Sequence, residues 1–147
     1  MAAAACLVAC TSCSPRALAI DGVVVVPGAG FAPGVLYANV ENPGGTADTL
    51  LSVDVVGATA ASLHENVTDS AGRTTMRMVH HLAIPPGWRV SLSPGGVHAM
   101  IDGLRTALTR GDSVGVTFHF ARAGSVAGMA RVVDYTDVGG AAPRVRR

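Results

Sequence analysis

Two histidines and two methionines of this chain carry metal donors at a spacing that could close on one ion. His64 is followed by eleven residues and Met76, then by twenty-one more and His98, with Met100 two places on. His98 and Met100 come straight after Pro94-Gly95-Gly96, a turn sequence. In a strand entered from that turn, side chains at i and i+2 point the same way. An imidazole nitrogen and a thioether sulfur would then share one face. Such donors suit a soft ion such as Cu(I), whereas hard ions take carboxylate and water. A thioether needs no deprotonation but an imidazole does, so affinity should weaken as pH falls through about 6.5, the ordinary histidine value.

Thiols are excluded from this chemistry. Cys6, Cys10 and Cys13 all lie in the first thirteen residues, and none follows Ser14. The body of the chain can therefore form no disulfide, thiolate metal site or cysteine nucleophile. It also cannot build a blue-copper electron-transfer centre, which needs a Cys thiolate beside two His. Where the compartment is oxidising, thioethers have an advantage, because exposed thiols there become disulfides or oxyacids.

The elements that must position these donors read as strands. The chain has 147 residues, enough for one domain. It is 49% hydrophobic but only 4% aromatic, so its core should be built of small and β-branched side chains, which favour pleated surfaces. A net charge of +1 gives no basic footprint for nucleic acid. Short apolar runs alternate with Gly, Pro, Asp and Asn: Gly22–Gly30, Gly34–Gly45, Thr49–Gly57, Thr74–Ile84, Trp88–Leu92, Ser113–Ala121 and Ser125–Tyr135. In the third run Leu51, Val53 and Val55 are expected on one face. The cleanest alternation sets Val114, Val116, Phe118 and Phe120 against Gly115, Thr117 and His119. Helical character is expected only over Met100–Leu108, weakened by Gly103. About seven short strands at this spacing imply an all-β, antiparallel sandwich or barrel.

The ends read differently. Residues 1–20 form a small, apolar leader in which Leu7-Val8-Ala9-Cys10 looks like a bacterial lipobox, whose cysteine becomes lipidated. The other reading is an Ala-rich disordered start. Elsewhere no apolar run reaches the roughly 18 residues of a transmembrane candidate. The folded domain is placed at 21–137. The tail, 138–147, has no apolar period and is expected to be disordered.

Separated blocks of this chain, taken together, resemble the PCu(A)C family of periplasmic copper chaperones. They are "H-E" at His64, "M-R-x-V" at Met76, "P-G-G-x-H-x-M" ending at Met100, and the flanks Tyr37–Val53 and Gly103–Val126. The likeness runs from about Val23 to Tyr135. It implies a cupredoxin-like Greek-key β-sandwich in a single domain, with His64, Met76, His98 and Met100 as Cu(I) ligands. It further implies a non-enzymatic carrier in the periplasm or at the cell surface that serves cytochrome c oxidase assembly. The implied partner is a copper-accepting protein, cytochrome c oxidase subunit II at its CuA centre or another copper chaperone. Membrane contact would come only through a lipid on Cys10, and the chain would be a monomer. Some family members place a methionine directly after the first histidine, where this chain has Glu65.

Other donors are assigned blander roles. Met78 and Met129 are expected in the core, His80 at the periphery, and His81 and His119 toward solvent. Two rivals remain: an extracellular β-sandwich that binds partners without metal, and a metalloenzyme using Glu65 as its base.

Overall fold

Leu36, Ala38 and Val40 on one strand, and Val114, Val116, Phe118 and Phe120 on another, are all buried, at 6% exposure or less. Strict alternation leaves each strand one apolar face, and the two faces are buried against each other. The computed structural model describes residues 17–30 and 32–138. Its strands are β1 (Ala19–Val26), β2 (Gly34–Glu41), β3 (Asp48–Val55), β4 (Ala60–Thr68), β5 (Thr74–Met78), β6 (Leu82–Ile84), β7 (Arg89–Leu92), β8 (Val97–Asp102), β9 (Ser113–Phe120) and β10 (Gly124–Val132), followed by a short 3-10 turn at Tyr135–Val138. No helix among the described residues is long and apolar enough to cross a membrane.

The strands form one hydrogen-bonded path, β5-β4-β8-β2-β1-β10-β9-β3-β6, with β7 also paired to β2. The path folds on itself at β1, which runs antiparallel to β2 and parallel to β10. A register shift between Asp21 and Val24 lets that strand serve both neighbours. Core residues come from both arms. Leu63, Ala99, Ile101 and Leu92 from β4, β8 and β7 pack in one cluster with Leu50, Val53, Ile84 and Phe118 from β3, β6 and β9. The all-β sandwich expected from the sequence is present.

Several local expectations need correction. Met100–Leu108 is not helical: β8 continues through Asp102 and the chain then bends at Gly103. Gly103 has φ +61°, and a Cβ there would fall 2.2 Å from the Thr59 hydroxyl, so its backbone follows a path closed to helix and to other residues. Leu51 does not join Val53 and Val55. A register irregularity between Leu50 and Ser52 turns Leu50 inward instead and leaves Leu51 exposed. Thr74–Ile84 is two strands, β5 pairing with β4 and β6 with β3, so it bridges the two arms. Met129 is exposed, because it alternates with the buried Ala130.

A buried carboxylate ties the second arm together. Asp48, 7% exposed, accepts N–H groups from Thr49 (2.7 Å), Arg122 (2.9 Å) and Ala123 (2.9 Å), fastening β3 to the β9–β10 turn. Burial alone would push its carboxyl pKa up, but the three N–H donors outweigh that and hold it below the usual aspartate value. A depressed folded-state pKa means this contribution is present above the unfolded pKa and is lost as pH falls through the folded one. Asp48→Ala should therefore cost about 2–3 kcal/mol at neutral pH in urea unfolding. The gap between variant and wild type should close as pH drops below about 3.9. An equal gap at all pH values would contradict the assignment.

Candidate metal centre

The register of β5, β4 and β8 gathers the donors. His64 on β4 lies directly opposite His98 on β8, and on its other side directly opposite Met78 on β5. Met76 is opposite Asn66, one same-face step along from His64. Met100 is opposite Ser62, one such step the other way, and also faces Val35 of β2. Directly opposed residues share a face in an antiparallel ladder. All four expected ligands thus stand on one face of this three-stranded arm, the face turned away from core residues Leu63, Ala99 and Ile101. At the centre are the histidines. Met76 and Met100 stand at opposite ends.

The two imidazoles are stacked, with ring centres 6.3 Å apart and planes inclined by 26°. A metal bound at about 2.0–2.1 Å from a ring nitrogen lies about 3.2 Å from that ring's centre. Stacked rings aim their in-plane lone pairs past one another, so sharing one ion requires a ring to turn, and the two histidines stand as adjacent donors that a rotation about the side chain brings to a common ion.

His98 is 5% exposed, and its orientation is set by the main chain. Its Nδ1 lies 3.0 Å from the Gly96 carbonyl oxygen. A carbonyl can only accept, so Nδ1 donates, and in the neutral ring Nε2 then keeps its lone pair. Donation of the second ring nitrogen to a carbonyl is the usual support of a metal-bound histidine. The turn makes this possible. Gly95 has φ +78°, the left-handed conformation that glycine adopts without steric cost, and the Gly96 N–H closes the turn onto the Ser93 carbonyl at 3.1 Å. On His64 the Nε2 is 2.9 Å from the Ser62 hydroxyl, on the side where Met100 stands. Serine rotates its hydroxyl freely, so this contact yields readily to a competing ligand.

The chemistry of the donor set is restrictive. Among the described residues no three His, Cys, Asp or Glu side chains gather as a metal site, and the soft side-chain donors beside the histidine pair are methionine sulfurs. Glu65, next to His64, points to the other face and is bound by Arg77 at 2.8 Å. It is placed neither to ligate nor to act as a base on this face. Two imidazoles with thioethers form a neutral, soft set, suited to a monovalent soft cation.

The remaining histidines lie elsewhere. His119 belongs to the opposite arm, where Nε2 pairs with Asp54 at 2.7 Å and Nδ1 with the Ser125 hydroxyl at 2.9 Å. The order is reversed from that of a hydrolytic triad, in which Nε2 faces the serine. His80 and His81 are exposed in the β5–β6 connection. Met78 is not in the core: it is 55% exposed and stands beside His64, as Met76 does one step on at 51%. The two-residue period could have shown this face, since Met76 and Met78 both share it. Its pairing partner was hidden because β4 does not read as a strand.

A family model described as "Putative lipoprotein LpqE-like" matches residues 18–132. The chain belongs to this LpqE-like family. A curated relative, "Putative lipoprotein Lxx21020" of Leifsonia xyli subsp. xyli (strain CTCB07), is 31% identical over 105 residues. The match covers 69% of this chain and 63% of that protein, so the LpqE-like chain spans less than two thirds of the relative's length. Solved structures share the fold. The copper-bound PCuAC domain from PmoF2 superposes with a TM-score of 0.68 at 23% identity, over 82% of this chain and 96% of that one. The apo PCuAC domain from PmoF1 gives 0.68 at 24%, over 82% and 97%. The family member described here therefore has the cupredoxin-like β fold of PCuAC domains. Cys10, expected from the sequence to be a lipobox cysteine, lies outside the described residues, as do the rest of residues 1–16 and those from 139 onward.

Proposed function

We propose that this chain is a non-enzymatic, extracytoplasmic carrier of Cu(I), bound by His64, Met76, His98 and Met100. The observation that carries the reading is His98: a buried imidazole with Nδ1 anchored on the Gly96 carbonyl, stacked on His64 and flanked by methionines. The soft donor set supports the monovalent state. The shared fold with a copper-bound PCuAC domain supports copper as the cargo. A ligand set that pairs the buried His98 with the exposed Met76 leaves one side of the site open, which suits a cargo that must be handed on. The acceptor is a copper protein, either the CuA-bearing subunit II of cytochrome c oxidase or another copper chaperone. The relatives' lipoprotein names support a lipid anchor, for which Cys10 is the candidate, holding a monomeric domain outside the cytoplasm, whose first strand begins at Ala19 and not at 21 as expected from the sequence.

Titration of the purified chain with Cu(I) against a chelator of known affinity tests this. One equivalent bound tightly, with only nitrogen and sulfur neighbours in the X-ray absorption spectrum, is the expected result. No binding above the chelator background would leave the metal-free interaction module as the better reading. Substrate turnover by the loaded chain would instead favour an enzyme.

A further inference from the structure

We infer that the end of the sandwich where β1 begins rests on lipid headgroups, with Trp88 at the interface. The inference rests on the lipid anchor proposed above and is independent of copper. The register gathers three connections at that end. Ala19, the first residue of β1, is opposite Glu41, and Glu41 is opposite Arg89. There the Asn42 N–H donates to the Trp88 carbonyl at 2.9 Å and the Gly87 N–H to the Asn42 carbonyl at 2.7 Å, joining the 42–47 loop to the 85–88 turn. β10 runs parallel to β1, so the β9–β10 turn lies at the same end, where Asp48 holds it to the start of β3. Between a lipid on Cys10 and the start of β1 stand only eight residues, Thr11 to Leu18. A chain of that length reaches at most about 32 Å to Ala19. Inverting the domain would lift Ala19 by the length of β1, about 23 Å, and take up most of that reach.

The composition of this end suits a headgroup layer. Its three connections, 42–47, 85–88 and 121–123, carry one charge, Arg122, of the sign that anionic headgroups attract. Gly45, Thr46, Ala47, Pro86 and Gly87 are exposed beside it. The carboxylates flanking these connections are already satisfied: Asp48 is buried on three N–H groups, and Asp21 and Glu41 both pair with Arg89. β4 and β2 are both antiparallel to β8, so the β4–β5 hairpin tip points to this end too, and its Asp69 and Arg73 pair with each other. Trp88 is half-buried in the 85–88 turn. Its indole, apolar with a single N–H, is the kind of side chain that settles at headgroup level. At the opposite end the 103–112 connection and the 3-10 turn carry Arg105, Arg110, Asp112 and Asp137, charges that a headgroup layer would have to desolvate.

The chain has a single tryptophan, so indole fluorescence reports on this end alone. Two forms of the full chain are purified in acylated form from bacterial membranes. One is wild type. The other is Trp88→Phe with Thr106→Trp, which moves the reporter to an exposed position in the 103–112 connection at the other end. Each is placed on vesicles of phosphatidylethanolamine and phosphatidylglycerol whose acyl chains carry bromine next to the headgroup, and circular dichroism checks that both are folded. Wild-type emission should shift to the blue and fall at least about twofold, while emission of the double variant should stay unchanged. Unquenched wild type, or equal quenching of the two forms, overturns the inference and leaves the anchor intact. A mature chain whose Cys10 carries no lipid by mass spectrometry overturns both.

Discussion

His98→Ala is expected to abolish tight Cu(I) binding while leaving the β-sandwich folded. The hydrogen-bond partners of metal-bound histidines are by themselves worth roughly ten- to a hundredfold in affinity, so losing this ligand should cost at least about a hundredfold. The geometry explains why His98 should matter more than His64. His98 is 5% exposed and its tautomer is fixed by the Gly96 carbonyl, so Nε2 is presented to the metal with little left to order. His64 must first release the Ser62 hydroxyl. His64→Ala should therefore weaken binding too, but by less. His119→Ala, in the other arm, should bind copper as wild type does, because its partners are Asp54 and Ser125. Chelator competition measures all three, and far-UV circular dichroism checks the fold. Undiminished affinity in His98→Ala would remove the basis of the copper assignment.

The second large effect is on stability. Phe118 is 1% exposed and is among the largest fully buried side chains, in the cluster where the two arms meet. Phe118→Ala removes a ring from a packed interior and leaves a cavity that β-branched neighbours cannot collapse to fill. A cost of about 3–5 kcal/mol is expected from such core truncations. For a domain of this size that corresponds to a fall in Tm of about 10 °C or more. Copper stoichiometry per folded molecule should not change, since Phe118 sits on β9 and the ligands on β4, β5 and β8. The two variants thus fail in opposite ways: one keeps its fold and loses its metal, the other binds metal but melts early.

Legibility in the sequence followed burial. β9 could be read residue by residue because Val114, Val116, Phe118 and Phe120 alternate with small or polar neighbours, and one face of the strand is wholly buried. β2 was legible for the same reason. β4 was not, because Ala60–Thr68 carries only Leu63 as a well-buried apolar anchor, while Ser62, His64 and Asn66 line its outer face. Polar residues there answer to ligand chemistry rather than to the core, so the hydrophobic period is faint. That gap also hid the partner strand of Met78 and allowed it to be read as core. At Leu50 and Leu51 the alternation misled for another reason: a bulge adds a residue and reverses which leucine faces inward. The helix read over Met100–Leu108 failed because Gly103 was taken as a weak helix residue rather than as the point where the chain must turn.

The donors themselves were visible as residue types and spacing, and the pairing of His98 with Met100 on one face followed from the two-residue period. Which histidine opposes which methionine was not visible. The His64–His98 register depends on hydrogen bonds between strands far apart in the chain, and the His64–Met78 register on a hairpin turn that could not be placed while β4 did not read as a strand.

The atom that orients His98 belongs to the peptide backbone, and this has a genetic consequence. No codon change can delete the Gly96 carbonyl, so random mutation has few ways to misaim that ring short of replacing it or breaking the turn at Gly95. A library screened for altered metal retention should accordingly return graded variants at the flexible thioethers and all-or-none variants at the imidazoles. Tuning and on–off control would then reside at separate positions in the same small patch.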